Sequence, residues 1–199
     1  MMLVPYYRSA VRQFDSRIRA VGPAQWTSST PDDDWDVQRL VRHVINVQNR
    51  FAGGIGGRKS EATTAVGAGL VEAWTAASTA STAVFEAVTD WTPPVPLPGG
   101  HTSTLEDLGW LVTADLAIHA WDLARAIGAH DELPNDLVGA VLDRAKASQD
   151  RWLRPDAFAP PIPVPGCTDD LTELLALTGR NRWWRRLRMP ESPAVGGEP

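Results

Sequence analysis

Between Ser103 and Gly128, apolar side chains fall at Leu105, Leu108, Val112, Leu116 and Leu123, a spacing of three and four that only an α-helix turns into one face. Ser103 and Glu106 form a capping-box pair at its start, and Gly128 is a natural stop. The same face carries Asp115 and His119. An acid and an imidazole four residues apart lie one turn apart, close enough to act on one ligand. Polar groups among core-facing leucines require a partner, because an unpaired carboxylate is costly to bury.

Similar periodicity organises the rest of the chain. Val4, Tyr7, Val11, Phe14 and Ile18 predict a first helix over about 3–21. Val37, Leu40, Val41, Val44 and Val47 predict a second over about 35–51, with acidic residues at its start. An Ala-rich stretch over about 65–90 predicts a third. The segment GGIGGRKSE between them reads as a loop; it lacks the P-loop ending and follows no strand. WTPPVPLPGGHTS is an extended excursion or turn ahead of the fourth helix. A shorter helix is expected from about Pro134 to Arg151, then an irregular Pro-rich stretch, RPDAFAPPIPVPGC. DDLTELLALTGR supplies a last helical turn or two. No segment alternates as a half-buried strand does, and no internal repeat is present.

These elements predict an all-α fold: a four-helix bundle with one long connection and short additional C-terminal helices. At 199 residues the chain suits one domain, taken as 1–190, followed by a small, Pro- and Gly-rich tail, 191–199, expected to be disordered. The net charge of -5 and pI near 5.3 give no electrostatic pull toward nucleic acid or anionic membranes. No continuous run of about 20 apolar residues is present. The N-terminus has no secretory h-region, so the cytoplasm is the expected location. The single cysteine, Cys167, excludes an internal disulfide and a thiolate-cluster metal site.

Any metal must therefore be held by imidazole and carboxylate. His43 lies on the inner edge of the second helix, near Leu40, Val44 and Val47. Taken alone, Asp115 and His119 are equally well read as a hydrogen-bonded core pair, and a lone inward histidine is more often structural than a ligand. Two helices that each carry an inward histidine, one with an acid a turn away, move the balance to a metal. His43, Asp115 and His119 suit zinc or another first-row divalent ion, and three ligands leave one position open for chemistry. Asp122, three residues past His119, either supports a ligand from behind or pairs with Arg125. His101 and His130 fall in expected loops. Cys167 has no histidine near it in sequence and is a weak nucleophile candidate. Trp183 and Trp184 with Arg180, Arg182, Arg185 and Arg186 read as packing of the last helix rather than as a nucleic-acid patch.

The segments DWDVQRLVRHVINVQ, DLAIHAWDLARAIG and LTELLALTGRNRWW, in that order, resemble the metal-binding domain of mycothiol-dependent maleylpyruvate isomerases in the DinB/YfiT-like superfamily. The resemblance extends from about residue 5 to 187. It implies a DinB-like four-helix bundle with His43, Asp115 and His119 as metal ligands. The metal would be zinc, with nickel or iron as alternatives, and mycothiol or a related thiol would be the cosubstrate. It further implies an enzyme that activates the thiol for transfer to, or isomerisation of, an electrophilic small molecule. Two departures separate this chain from the isomerase. Asp115 stands where the isomerase has the longer glutamate, and the isomerase's additional C-terminal domain is not expected. The sequence assigns no general acid, general base or thiol-binding residue. Two other readings are a metal enzyme of specialised metabolism that uses no thiol, and a non-catalytic metal-binding or interaction bundle. A homodimer is a prior for bundles in general.

Overall fold

The structure, a computed structural model, describes residues 3–32, 35–55, 62–96, 102–148, 158–164, 166 and 169–185. His101, Cys167, Arg186 and the tail 191–199, discussed above, lie outside the described residues. Four long helices, α1 (Leu3–Ile18), α2 (Val37–Ile55), α3 (Gly69–Ala87) and α4 (Leu105–Ile127), form the body. α1 packs on α4 and α3, and α2 packs on α3 and α4, so the four close into a ring around one core. Two shorter helices, α5 (Asn135–Ala147) and α6 (Asp170–Leu177), pack on each other, and α5 leans on α1 and α4. The all-α bundle expected from periodicity is the observed fold. No described helix is long and apolar enough to cross a membrane.

The core follows the predicted faces. Tyr7, Phe14 and Ile18 of α1, Leu40, Val41, Val44 and Ile45 of α2, and Leu70, Trp74 and Phe85 of α3 are all fully buried. α4 differs from an amphipathic surface helix: from Val112 to Ala124 every residue is buried. It runs between α1, α2 and α5, so its polar side chains are largely shielded from bulk water. This burial forces Asp115, His119 and Asp122 to find partners.

Several boundaries differ from the sequence expectation, each for a local reason. The cap of α4 is Thr104, whose hydroxyl accepts from Asp107 N at 3.0 Å, rather than Ser103 with Glu106. Ser103 is taken by a two-stranded ladder in which β1 (Pro94–Pro96) pairs antiparallel with β2 (Thr102–Thr104) across the Pro-rich excursion. Gly128 ends α4 as expected, with φ 72° in the left-handed region. α2 runs on to Ile55, so the first three residues of GGIGGRKSE are helical. Phe51 stacks on Phe85 at 4.5 Å and holds this last turn against α3.

α2 also begins late, at Val37. A bridge between Ser29 and Asp36, with Thr30 N donating to Trp35 O at 3.0 Å, sets residues 29–30 against 35–36. Asp36 Oδ1 then accepts from Arg39 N at 2.7 Å and starts the helix. Trp35 is thereby left on a loop beside the first turn instead of on the helix. α3 begins at Gly69 because the residues before it run along α2: Thr63 N donates to Asn46 Oδ1, Arg42 Nε to Ala65 O, and Gly67 N to Gln38 Oε1, each at 2.9 Å. α5 ends at Ala147, and α6 starts at Asp170, capped by the Asp169 carboxylate on Thr172 N at 2.8 Å.

Candidate metal centre

On α4, Asp115, His119 and Asp122 stand at i, i+4 and i+7, which aligns them in one stripe along the helix. α2 faces the upper part of this stripe with His43. His43 Nε2 lies 3.0 Å from Asp115 Oδ1, and His119 Nε2 lies 3.6 Å from the same oxygen. The two imidazole rings meet edge to face with centroids 5.0 Å apart. The structure therefore brings together all three residues singled out from the sequence, with one ligand atom of each within 4.8 Å of the others.

The lower part of the stripe is a second polar layer. His119 Nδ1 lies 3.0 Å from Asp122 Oδ2, and the same oxygen accepts from Arg180 Nε at 3.4 Å and Nη2 at 3.3 Å. An oxygen that receives a guanidinium is a carboxylate acceptor, so His119 donates from Nδ1 and turns Nε2 toward Asp115. Arg180 also donates from Nη2 to Asp32 Oδ2, and from Nη1 to Thr178 O at 2.7 Å. Asp122 is thus a partner of His119 and Arg180, while Arg125 turns to Asp131 at 3.1 Å and to Trp184 O.

Trp35 covers the two imidazoles. Its ring stacks on His119 with centroids 5.7 Å apart and tilts on His43 at 4.9 Å. Exposure is graded across the site: the side chain of His43 is 31% exposed, that of Asp115 13% and that of His119 4%. Access from solvent is therefore on the His43 side.

The charges are mutually dependent. Burial resists ionisation of Asp115, but the imidazoles of His43 and His119 outweigh it and hold the carboxyl below its usual range. Burial equally disfavours a charged His119, yet Asp115 and Asp122 overcome it and raise the imidazole above its usual value. The Arg180 guanidinium, though buried, is held firmly charged by Asp122 and Asp32. An anionic notch that pulls cationic character onto His119 is also a notch suited to a cation.

The donor set fits a divalent ion on two counts. With ligand bonds of about 2.1 Å at tetrahedral angles, neighbouring ligand atoms stand about 3.4 Å apart. The separations of 3.0 and 3.6 Å bracket that value. Moreover, Asp115 Oδ2 is buried with no hydrogen-bond partner among the described residues.

Residues 7–124 match the family model described as mycothiol maleylpyruvate isomerase N-terminal domain. The chain belongs to this family. The match includes α2 and the part of α4 up to Ala124, and with them His43, Asp115 and His119. Two uncharacterized proteins of Mycobacterium tuberculosis are each 29% identical over 179 residues, 87% of this chain and 95% of the relative. Two crystal structures of the mycothiol-dependent maleylpyruvate isomerase, one of them of a mutant, share the fold. Their TM-scores are 0.59 and 0.55 at 14% and 16% identity, over 76% of this chain and 70% of theirs.

Sequence reasoning missed three participants. Asp32 falls in the polar stretch ahead of α2, and Trp35 falls at the first residue of the helix expected over 35–51. Arg180 was grouped with the C-terminal basic cluster. The signal for Arg180 was present in Leu177-Thr178-Gly179-Arg180. Gly179 adopts φ 77°, its N–H bonds Ala176 O at 3.1 Å and Arg180 N bonds Leu175 O at 2.7 Å, the paired bonds of a helix stop that reverses the chain. The reversal aims Arg180 inward. Of the other members of the basic cluster, Arg182 bonds Asp131 at 2.7 Å and Glu132 at 2.9 Å, and Trp183 is 67% exposed. His130 is exposed, in keeping with its expected place in a loop.

Proposed function

We propose that the seam between α2 and α4 is a divalent-metal centre of a thiol-dependent enzyme, with His43, Asp115 and His119 as its ligands. The observation that supports this reading most directly is the convergence of two imidazole Nε2 atoms on a carboxylate whose second oxygen is buried without a donor. Zinc suits the set best, with nickel and iron as alternatives. When bound, the ion would supply Lewis acidity that favours the thiolate form of a coordinated thiol. By family, the thiol is of the mycothiol type. The reaction class is thiol transfer to, or isomerisation of, an electrophilic small molecule.

The chain's own residues prepare such a site in three ways. Asp122 fixes the tautomer of His119, so that Nε2 and not Nδ1 faces the notch. Trp35 closes one side with an apolar ring and excludes water from His119. His43, the most exposed of the three, leaves the opening through which thiol and substrate approach. We place this centre in a single domain, with the cytoplasm as the compartment that keeps a thiol cosubstrate reduced.

Elemental analysis of the purified protein tests the first half of the reading. About one divalent ion per chain, lost in His43→Ala and in His119→Ala, is the expected result. Protein that stays metal-free after reconstitution overturns it. The second half is read from the cobalt-substituted protein, which should gain a sulfur-to-cobalt charge-transfer absorption on adding mycothiol. A loaded protein whose spectrum ignores mycothiol sinks the thiol assignment and leaves the metal centre standing.

A further inference from the structure

The stripe on α4 belongs to two clusters that share His119. Asp115 and His43 form one on the Nε2 side; Asp32 and Asp122 form the other on the Nδ1 side, and its three ligand atoms also lie within 4.8 Å of one another. Either could draw a cation, yet only the second already contains one. The Arg180 guanidinium lies between Asp32 and Asp122, is 3% exposed, and is held from below by Thr178 O.

We infer that Arg180 is a positioning residue of the metal centre: by filling the cluster behind His119 with a built-in cation, it locks Asp122 onto Nδ1 and commits His119 to the front site. The inference rests on the metal reading given above. Three observations carry it. Asp122 is completely buried and its Oδ1 has no partner among the described residues, while Oδ2 carries the contacts with both His119 and Arg180. A guanidinium fixes its donors in one planar fork, so that Nε and Nη2 meet Asp122, Nη2 meets Asp32 and Nη1 meets Thr178 O together, whereas an ammonium is a compact point charge without that fixed geometry. The residue also comes from outside residues 7–124, so the C-terminal segment contributes to a site whose ligands all lie within them. Through Asp32, the same guanidinium ties down the loop that carries Trp35 over the imidazoles.

Cobalt titration against a competing chelator tests this on the full-length protein, comparing wild type with Arg180→Met and Arg180→Lys, each first checked for cooperative thermal unfolding. Loss of a supporting contact behind a metal-bound histidine weakens binding by about 10- to 100-fold, which is the expectation for Arg180→Met. Its cobalt d–d spectrum should also shift, because His119 is no longer held in one orientation. Arg180→Lys keeps the charge but loses the planar fork of donors, and should recover part of the affinity. If Arg180→Met does not fold, Arg180→Lys is the deciding variant, with an expected loss of about 3- to 10-fold and a shifted spectrum. Wild-type affinity with an unchanged spectrum in the folded variants overturns the role of Arg180. Failure of the wild-type protein itself to bind cobalt overturns the metal reading, a distinguishable result.

Discussion

Asp122 Oδ2 sits 3.0 Å from His119 Nδ1 while the opposite nitrogen of the same ring looks toward Asp115 at 3.6 Å. One imidazole therefore connects two carboxylates, and its function depends on which nitrogen carries the proton. Asp122→Asn keeps the size of the side chain but offers an amide that can donate as well as accept, so it no longer dictates the tautomer. Metal affinity should fall about 10-fold or more, read by competition with a chelator, with little change in fold by circular dichroism. Unchanged affinity would mean that Asp122 is only a core partner.

The charges in the notch set a pH dependence of opposite sign for the bare and loaded protein. His119 is raised from 6.5, so its contribution to stability is complete below that value and is lost as pH rises through the higher folded value. Asp115 is lowered from 3.8, so its contribution is complete above that value and is lost as pH falls through the lower folded one. Chelator-treated protein should therefore lose melting temperature on going from pH 6 to pH 9 at this group. The gain in melting temperature on adding zinc should grow over the same interval, because ligand protons no longer compete with the ion. A zinc increment that is flat in pH would show that no titrating imidazole binds the metal.

Two glycines separate conformational strain from crowding. Gly128 and Gly179 both have left-handed backbones, φ 72° and 77°. A Cβ on Gly128 meets nothing within 4 Å, whereas on Gly179 it would stand 2.5 Å from Ala159 Cβ and 3.0 Å from that residue's carbonyl carbon. Gly128→Ala should cost about 1–2 kcal/mol in denaturant unfolding, the left-handed term alone. Gly179→Ala should cost more. It should also weaken metal binding, since Gly179 directs Arg180; equal effects of the two substitutions would count against that coupling.

Trp35→Ala removes the ring that lies over both histidines but none of the ligand atoms. The variant should still hold about one ion per chain, as the three-ligand set is intact. It should surrender that ion to a chelator faster than wild type does. Identical release rates would show that Trp35 does not govern access.

The helices could be read from the sequence because their apolar residues recur at helical spacing, and α4 was readable to its stop at Gly128. The clustering of His43, Asp115 and His119 was readable because Asp115 and His119 are local to one helix and His43 has the same inward setting on another. The remaining parts depend on contacts that no local pattern encodes. Trp35 reads as helical until the Ser29 to Asp36 bridge pulls it off α2. Ser103 and Thr104 are both good caps, and the choice between them was made by pairing of Ser103 with Val95. Arg180 reaches Asp32 across 148 positions of sequence. A basic residue among several others gives no hint of such a partner, whereas the glycine before it, at a helix end, did mark where the chain turns inward.

The inward turn at Gly179 has a consequence for how the protein is made. Synthesis delivers His43, then Asp115, His119 and Asp122, and only some sixty residues later the guanidinium that balances the last of these. Until that stretch is made, Asp32 and Asp122 lack the guanidinium that lies between them in the folded protein. An ion taken up early would meet a centre free to adopt either cluster, and one taken up after the C-terminal segment docks would meet a centre already decided. On the proposed metal reading, the timing of metal supply relative to completion of the chain becomes a variable in how uniformly the protein would load.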